Sequence, residues 1–257
     1  MNRIFANIIS AFVISKSKRR ELRRKLCGNK IVGKGNKVIV VENGVEKDYT
    51  NIHIPNLKIE INGDNNLIYI PDIKSFLHNN SVMLESNNAE IRFGKSEEWF
   101  KNQDDYLRKY TGYRNFHICT HHGNNQKMEI GNNIEISGAN VNMGESDCHL
   151  IIGDFCMLSN NITFQVSDGH SLLDRNSKKI LNKVTHPMVI GEHSWIARSV
   201  VFMKNASIAP NTIVGFGSIV TKVFEEEYIA IAGNPAKIVK REVTWDHTPP
   251  SLWNDCS

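Results

Sequence analysis

An apolar residue returns every sixth position through Ile190, Ile196, Phe202, Ile208, Val214 and Val220. An α-helix repeats every 3.6 residues and a strand every two, so neither explains a period of six. A solenoid does, with three six-residue rungs closing one triangular coil. The register extends upstream through Ile152, Leu158 and Phe164, and through Ile130, Ile136 and the weaker Asn142, with breaks at about 143–151 and 169–189. Four residues after each anchor stands a small or polar side chain at Asn140, Cys156, Ser194, Ala206, Thr212 and Ser218. Such side chains suit a tight corner, where inward groups compete for a narrow core. Ile134 and Ile162 are larger, and Gly131, Gly153, Gly191 and Gly215 follow their anchors as a turn requires.

Three blocks stand in order along this array: IGEHSWIA (190–197), VGFGSIVTK (214–222) and AGNPAKIVK (232–240). Over roughly 125–241 they resemble the hexapeptide-repeat acyltransferases, and within them the branch that O-acetylates sugars and polysaccharide precursors. The resemblance implies an all-β fold, a left-handed parallel β-helix, in a homotrimer that takes its acyl group from acetyl-coenzyme A. Two residues depart from the family pattern. Ala197 replaces the glycine of W-I-G, and Phe216 replaces the alanine of G-A-G-S, where its bulk narrows the expected donor groove.

The other segments divide the chain into 1–28, 29–124, 125–224 and 225–257. Residues 1–27 carry eight cations (Arg3, Lys16, Lys18, Arg19, Arg20, Arg23, Arg24 and Lys25) against Glu21, so the net charge of +4 resides there. Ile4, Phe5, Ile8, Ile9, Phe12 and Val13 precede this run at helical spacing, which reads as an amphipathic helix. Its apolar part is about half of the roughly 20 residues that span a bilayer. A cap on the end of the solenoid is the first reading, and peripheral contact with anionic lipid the second. From 30 to 95, G-N and N-N turns separate short apolar runs without the six-residue register, which predicts irregular β-helical coils. Residues 96–115 interrupt them as a short helix or a protruding loop.

The five cysteines, Cys27, Cys119, Cys148, Cys156 and Cys256, are odd in number and have no CxxC or CxxH spacing. This argues for a reducing, cytoplasmic setting without a disulfide framework or structural zinc, and makes Cys156 a small buried side chain rather than a nucleophile. No G-x-x-x-x-G-K-[ST] loop marks a nucleotide hydrolase, and no nucleic-acid partner is expected.

Acyl transfer to an alcohol needs a base near neutral pH, the province of histidine. Among ten histidines, His170 opens the 169–189 break just after the anchor Phe164, where sugar-acetylating relatives carry their catalytic histidine. His186 and His193 are its rivals, His193 looking like a ladder residue within a rung. By the same resemblance Asn140, in an A-N-x-N stretch, contacts the acceptor from a corner; a stacked structural amide is the alternative. Asp168 or Asp174 is a candidate to orient the imidazole.

Trp195 fronts the acceptor, with a backbone N–H near 195–197 facing the oxyanion. The resemblance places Ala197, Arg198, Phe216, Ser218, Thr221 and Lys222 along the donor, and Lys237, Lys240 and Arg241 at its phosphates. The insertion, with Arg175, Lys178, Lys179 and Lys183, is expected to reach toward a neighbouring subunit. Three other readings stay open. One is N-acetylation of an amino sugar. Another is a zinc site of the carbonic-anhydrase-like kind, built from the HICTHH run and His149. The last is a glycan-binding solenoid without catalysis.

Overall fold

In the computed structural model, residues 28–95 and 111–253 are described, with isolated residues 15, 18, 19 and 22. The amphipathic segment 1–27 and most of the 96–115 interruption therefore lie outside the described residues.

Three parallel sheets run the length of the molecule, and the chain visits them in rotation. Sheet A holds Leu57–Asn62, Asn80–Asn87, Phe116–Asn124, Ala139–Met143, Ile162–Gln165, Val201–Phe202 and Ile219–Val220 after the short Lys30–Val32. Sheet B runs from Lys37–Glu42 through Lys127–Ile130, His149–Ile152, Met188–Ile190 and Ser207–Ile208 to Val223–Phe224. Sheet C runs from Phe76–His78 through Glu135–Ile136, Met157–Leu158, Trp195–Ile196 and Ile213–Val214 to Ile229–Gly233. Antiparallel strands close both ends, Val45–Asp48 on sheet B and Ala236–Arg241 on sheet C.

The anchors of the repeat are the inward column of each sheet. On sheet A, Ile59, Val82, Ile118, Val141, Phe164, Phe202 and Val220 stand in direct register, each 2% exposed or less. Phe164 and Phe202 stack with centroids 5.3 Å apart and planes 19° from parallel. On sheet C the column is Tyr113, Ile136, Leu158, Ile196, Val214 and Ile231. The small corner residues are buried for a definite reason. Ser194, Thr212 and Ser218 each donate a hydroxyl to the carbonyl three residues earlier, at 2.6–2.8 Å, satisfying a corner that has no room for a larger group. Gly191 and Gly153 lie so close to the next coil that a Cβ would stand 2.2 and 2.5 Å from its backbone nitrogens. Asparagines turn other corners with positive φ, as at Asn161, Asn205 and Asn211.

One sequence expectation changes here, the place of Asn140. The coils upstream of 125 continue the same three sheets; what they lose is only the uniform coil length. Partners one coil apart are 23 residues apart at Ile59 and Val82 but 36 at Val82 and Ile118, so a search at period six loses the register. The turn at Ser137–Gly138 is also one residue shorter than its successors, which puts Val141 rather than Asn142 on the inward column. Asn140 consequently sits inside a strand, exposed on the outer side of sheet A, and not at a corner.

Two measurements test this packing. Phe202→Ala leaves a cavity between stacked rings and is expected to lower the unfolding free energy by about 3–5 kcal/mol in urea titration; a loss below about 1 kcal/mol would contradict the tight column. Glu135 lies on the outer side of sheet C, where burial pushes its carboxyl up to about 7 despite the charge of Arg114 and a hydrogen bond from Ser137. A carboxyl raised in the folded state keeps its proton longer folded than unfolded, so it weakens the fold as pH rises from 4.5 toward about 7. Glu135→Gln should match wild type near pH 4 and melt higher at pH 8; an equal difference at both would overturn the shift.

Candidate active site

Between Ile162–Gln165 of sheet A and Met188–Ile190 of sheet B the chain leaves the coil and returns, forming an arm over 166–187 at the A-to-B corner. The arm closes on itself. Leu173 and Ile180 form an antiparallel bridge, and Leu181 N–H donates to Leu172 O at 2.8 Å. Asp174 accepts from the N–H groups of Asn176 and Ser177, so it caps the tip and cannot orient a histidine. Leu172, Leu173, Ile180 and Leu181 are 40–60% exposed beside the cations of the arm.

His170 begins the arm and stands between two clefts. One, of about 390 Å³, is floored by the outer side of sheet A and lined by His121, His122, Asn142, Gln165 and Asp168. The other, of about 660 Å³, lies between the arm and the preceding coil, with Glu145, Asp147, Lys183 and His186 among its walls. His170 lines both.

Its ring makes no hydrogen bond among the described residues, whereas the rival histidines are engaged. His186 bonds Asn205 O through Nε2 and Thr185 Oγ1 through Nδ1, both at 3.0 Å, so both ring nitrogens are engaged. His193 bonds Asn211 on the next coil at 2.9 Å and stacks on Trp245, 4.8 Å between centroids and 14° from parallel. It is the ladder residue its position implied. His117 bonds Ser81 and His121 approaches Cys119 and Glu85 on sheet A, whereas His149 pairs with Glu129 within sheet B. The HICTHH run and His149 thus do not converge. No group of three or more His, Cys, Asp or Glu that could hold a metal ion exists among the described residues.

Asp168 does not reach for the imidazole either. Its Oδ2 accepts from Lys204 Nζ at 2.6 Å and from Asn182 Nδ2 at 2.7 Å. Burial works against the charge of this carboxylate, but these hydrogen bonds and the Lys204 charge prevail and hold its pKa below the usual value.

The asparagine beside His170 is Asn142. Two residues after Asn140 on the same outward row, it donates to Gln165 Oε1 at 3.2 Å and lines the smaller cleft with the histidine. Asn140 does not line it. The alternation of Ala139, Val141 and Met143 was the signal that could have selected Asn142, because it leaves both amides facing outward.

The residues expected at the donor lie elsewhere in the chain. Trp195 is 37% exposed on the outer side of sheet C, tilted against Trp245 at 6.2 Å. Ala197, Arg198 and Phe216 occupy the C-to-A corner, where Gly217 N–H donates to Arg198 O at 3.0 Å and Phe216 is 72% exposed. This is a different edge of the prism from the one bearing His170. Three expectations need correction. The Ser218 side chain is fully buried and held by Gly215 O and Gly233 N–H, so it has no free group for a ligand. The N–H groups of Trp195 and Ala197 are spent on Thr212 O and Val214 O and cannot form an oxyanion hole. Arg241 is paired with Glu226 at 2.7 Å, which diminishes it as a phosphate ligand. Thr221 and Lys222 are exposed on the A-to-B edge, and Lys222 shares a cleft of about 430 Å³ with Lys237 and the carboxylates Glu225 and Glu226. Lys240 is exposed on the terminal strand.

Comparison with known proteins bears on what such a prism does. No family model matches the chain. A polysialic acid O-acetyltransferase of Escherichia coli O1:K1 is 34% identical over 122 residues, which cover 48% of this chain and 39% of that protein. A galactoside O-acetyltransferase of Escherichia coli K12 is 32% identical over 117 residues, 44% of this chain and 56% of that protein. The chain thus spans between about two-fifths and just over half of the curated relatives it matches. A crystal structure of the polySia-specific acetyltransferase NeuO superposes with a TM-score of 0.56 at 25% identity, covering 87% of this chain and 83% of that one. The two curated relatives are thus named as sugar or polysaccharide O-acetyltransferases, and the superposed structure as a polySia-specific acetyltransferase. The coil is accordingly a left-handed parallel β-helix.

The thiols of this β-helix are quiet. Cys119, Cys148 and Cys156 are free, and burial pushes Cys148 up to about 11 and Cys156 up to about 12, far from a nucleophilic thiolate at neutral pH. Among the described residues no helix is long and apolar enough to cross a membrane.

The exchange of Asn140 for Asn142 can be measured. Asn142→Ala should raise the acceptor KM about tenfold, the size expected for one lost hydrogen bond to an uncharged group, while Asn140→Ala leaves it near wild type. The reverse pattern would restore Asn140.

Proposed function

We propose that this protein transfers an acetyl group from acetyl-coenzyme A to a hydroxyl of a sugar or polysaccharide precursor. The observation that carries this reading is the position of His170, a histidine with a free ring at the junction of two clefts, on a fold shared with sugar O-acetyltransferases. The polysialic acid and galactoside enzymes named above support a glycan acceptor as the class.

In the proposed reaction the acceptor O–H proton passes to the imidazole of His170 as the oxygen attacks the thioester carbonyl. The tetrahedral intermediate collapses with cleavage of the C–S bond, and the imidazolium returns its proton to the leaving thiolate. Acetyl ester and free coenzyme A result, and no acyl-enzyme is required. The acceptor occupies the cleft of Asn142 and Gln165, whose amides can both donate to and accept from sugar hydroxyls.

His170 and the expected donor residues Ala197, Arg198 and Phe216 lie on different edges of one prism. We therefore infer a homotrimer in which the 195–198 and 216–217 edge of one subunit meets the His170 arm of the next. The exposed apolar side chains of the arm would be covered in that contact. A cytoplasmic setting accords with the free thiols. The same base and donor would serve an amino sugar, and the product decides between ester and amide.

His170→Ala should reduce transfer to a responsive sugar by roughly 10²–10⁴-fold, measured as thiol release, with coenzyme A affinity unchanged. Transfer equal to wild type would remove His170 as the base. Absence of coenzyme A binding by wild type would favour a glycan-binding solenoid.

A further inference from the structure

The base of the arm rests on one cation from the coil above. Lys204, in the corner after Val201–Phe202, has only 14% of its side chain exposed. Its Nζ donates to Asp168 Oδ2 at 2.6 Å and to Asn182 O at 3.0 Å. The Asn182 amide bonds Asp168 Oδ2 at 2.7 Å and the carbonyl oxygen of His170 at 2.8 Å, while its Oδ1 accepts from Leu172 N–H at 2.8 Å. One ammonium group thus ties together the outgoing strand of the arm, the returning strand and the following coil. His170 is the residue held at the centre of that knot.

Resting on the reading of His170 as the base, we propose that Lys204 is a positioning residue of the reaction. It fixes the arm so that the imidazole stands between the two clefts, and it keeps the Asp168 carboxylate engaged, so that the ring stays without a carboxylate partner. The charged and titratable groups around His170 come from four elements. Asp168, Lys183 and His186 belong to the arm, and His121 and His122 to Phe116–Asn124. Glu145 and Asp147 belong to the preceding corner, and Lys204 to the next coil. Carboxylates already outnumber cations there. Removing Lys204 frees one more of them, on the residue two before His170, and a nearby negative charge favours the protonated imidazole.

The test is a pH profile of kcat/KM together with the NMR titration of the His170 ring, for Lys204→Met, Lys204→Arg and the double variant Lys204→Met/Asp168→Asn. Lys204→Met should lower kcat by about 10²-fold, the scale of an ångström-sized misplacement, with acceptor KM largely unchanged. Its acid limb and its ring pKa should move up by about one unit. Adding Asp168→Asn should return both to the wild-type pH while the rate stays low. Lys204→Arg, which keeps the cation, should recover most of the rate and the wild-type titration. A wild-type rate and titration in Lys204→Met, with melting temperature intact, would overturn the proposal. Rate loss with no movement of the ring pKa in any variant would leave Lys204 a packing residue and overturn its electrostatic part. The ring titration needs no turnover, so it stands apart from His170→Ala; full activity in that variant would sink the base itself, whatever Lys204 does.

Discussion

Everything in this molecule depends on one coil sitting in register on the next. Backbone N–H and C=O groups pair across coils in all three sheets, and the inward side chains of successive coils stack in columns such as Phe164 on Phe202. A buried column cannot slip by one residue without exposing its apolar set and burying its polar neighbours. The register is therefore fixed by packing, and the corners follow from it, since three short strands per coil favour glycine, small side chains and asparagine there.

The same constraint makes the prism a rigid carrier for a site that is not itself part of the coil. The arm over 166–187 departs from sheet A and returns to sheet B without disturbing the columns, because Phe164 and Ile190 occupy their slots on either side of it. Its own pairing is slight, one bridge and a few turn bonds. What anchors it is polar, the Asp168, Asn182 and Lys204 junction, with Ser167 Oγ accepting from Gly144 N–H at 2.6 Å. Loops held on rigid scaffolds by such bonds are where chemistry is usually placed.

The histidines show how position sorts one residue type into several roles. His193 is a ladder member stacked under Trp245, His186 fills a polar niche with both nitrogens bonded, and His117 and His149 pair within the outer sides of their sheets. His170 alone among these borders both clefts with an unengaged ring.

The six-residue period determined the solenoid, its inward anchors from Ile152 to Val220 and the break that carries His170, because each of these is a matter of local spacing along the chain. Spacing failed where coil length changed. Counting by six from Ile136 lands on Asn142, yet the short Ser137–Gly138 turn makes Val141 the inward residue, so Asn140 falls inside a strand and not at the corner that its spacing from Ile136 implied. Ser218, Arg241 and the 195–197 backbone looked available in one dimension because their partners, Gly233, Glu226, Thr212 and Val214, come from the next coil or the terminal hairpin. Lys204 gave no signal at all, for it lies 36 residues from the Asp168 that it holds. Where the period of six holds, from Ile152 to Val220, local spacing determined which residues point inward; only the stacking of coils decided which outward residues meet, since their contacts join segments whose separation changes with every insertion.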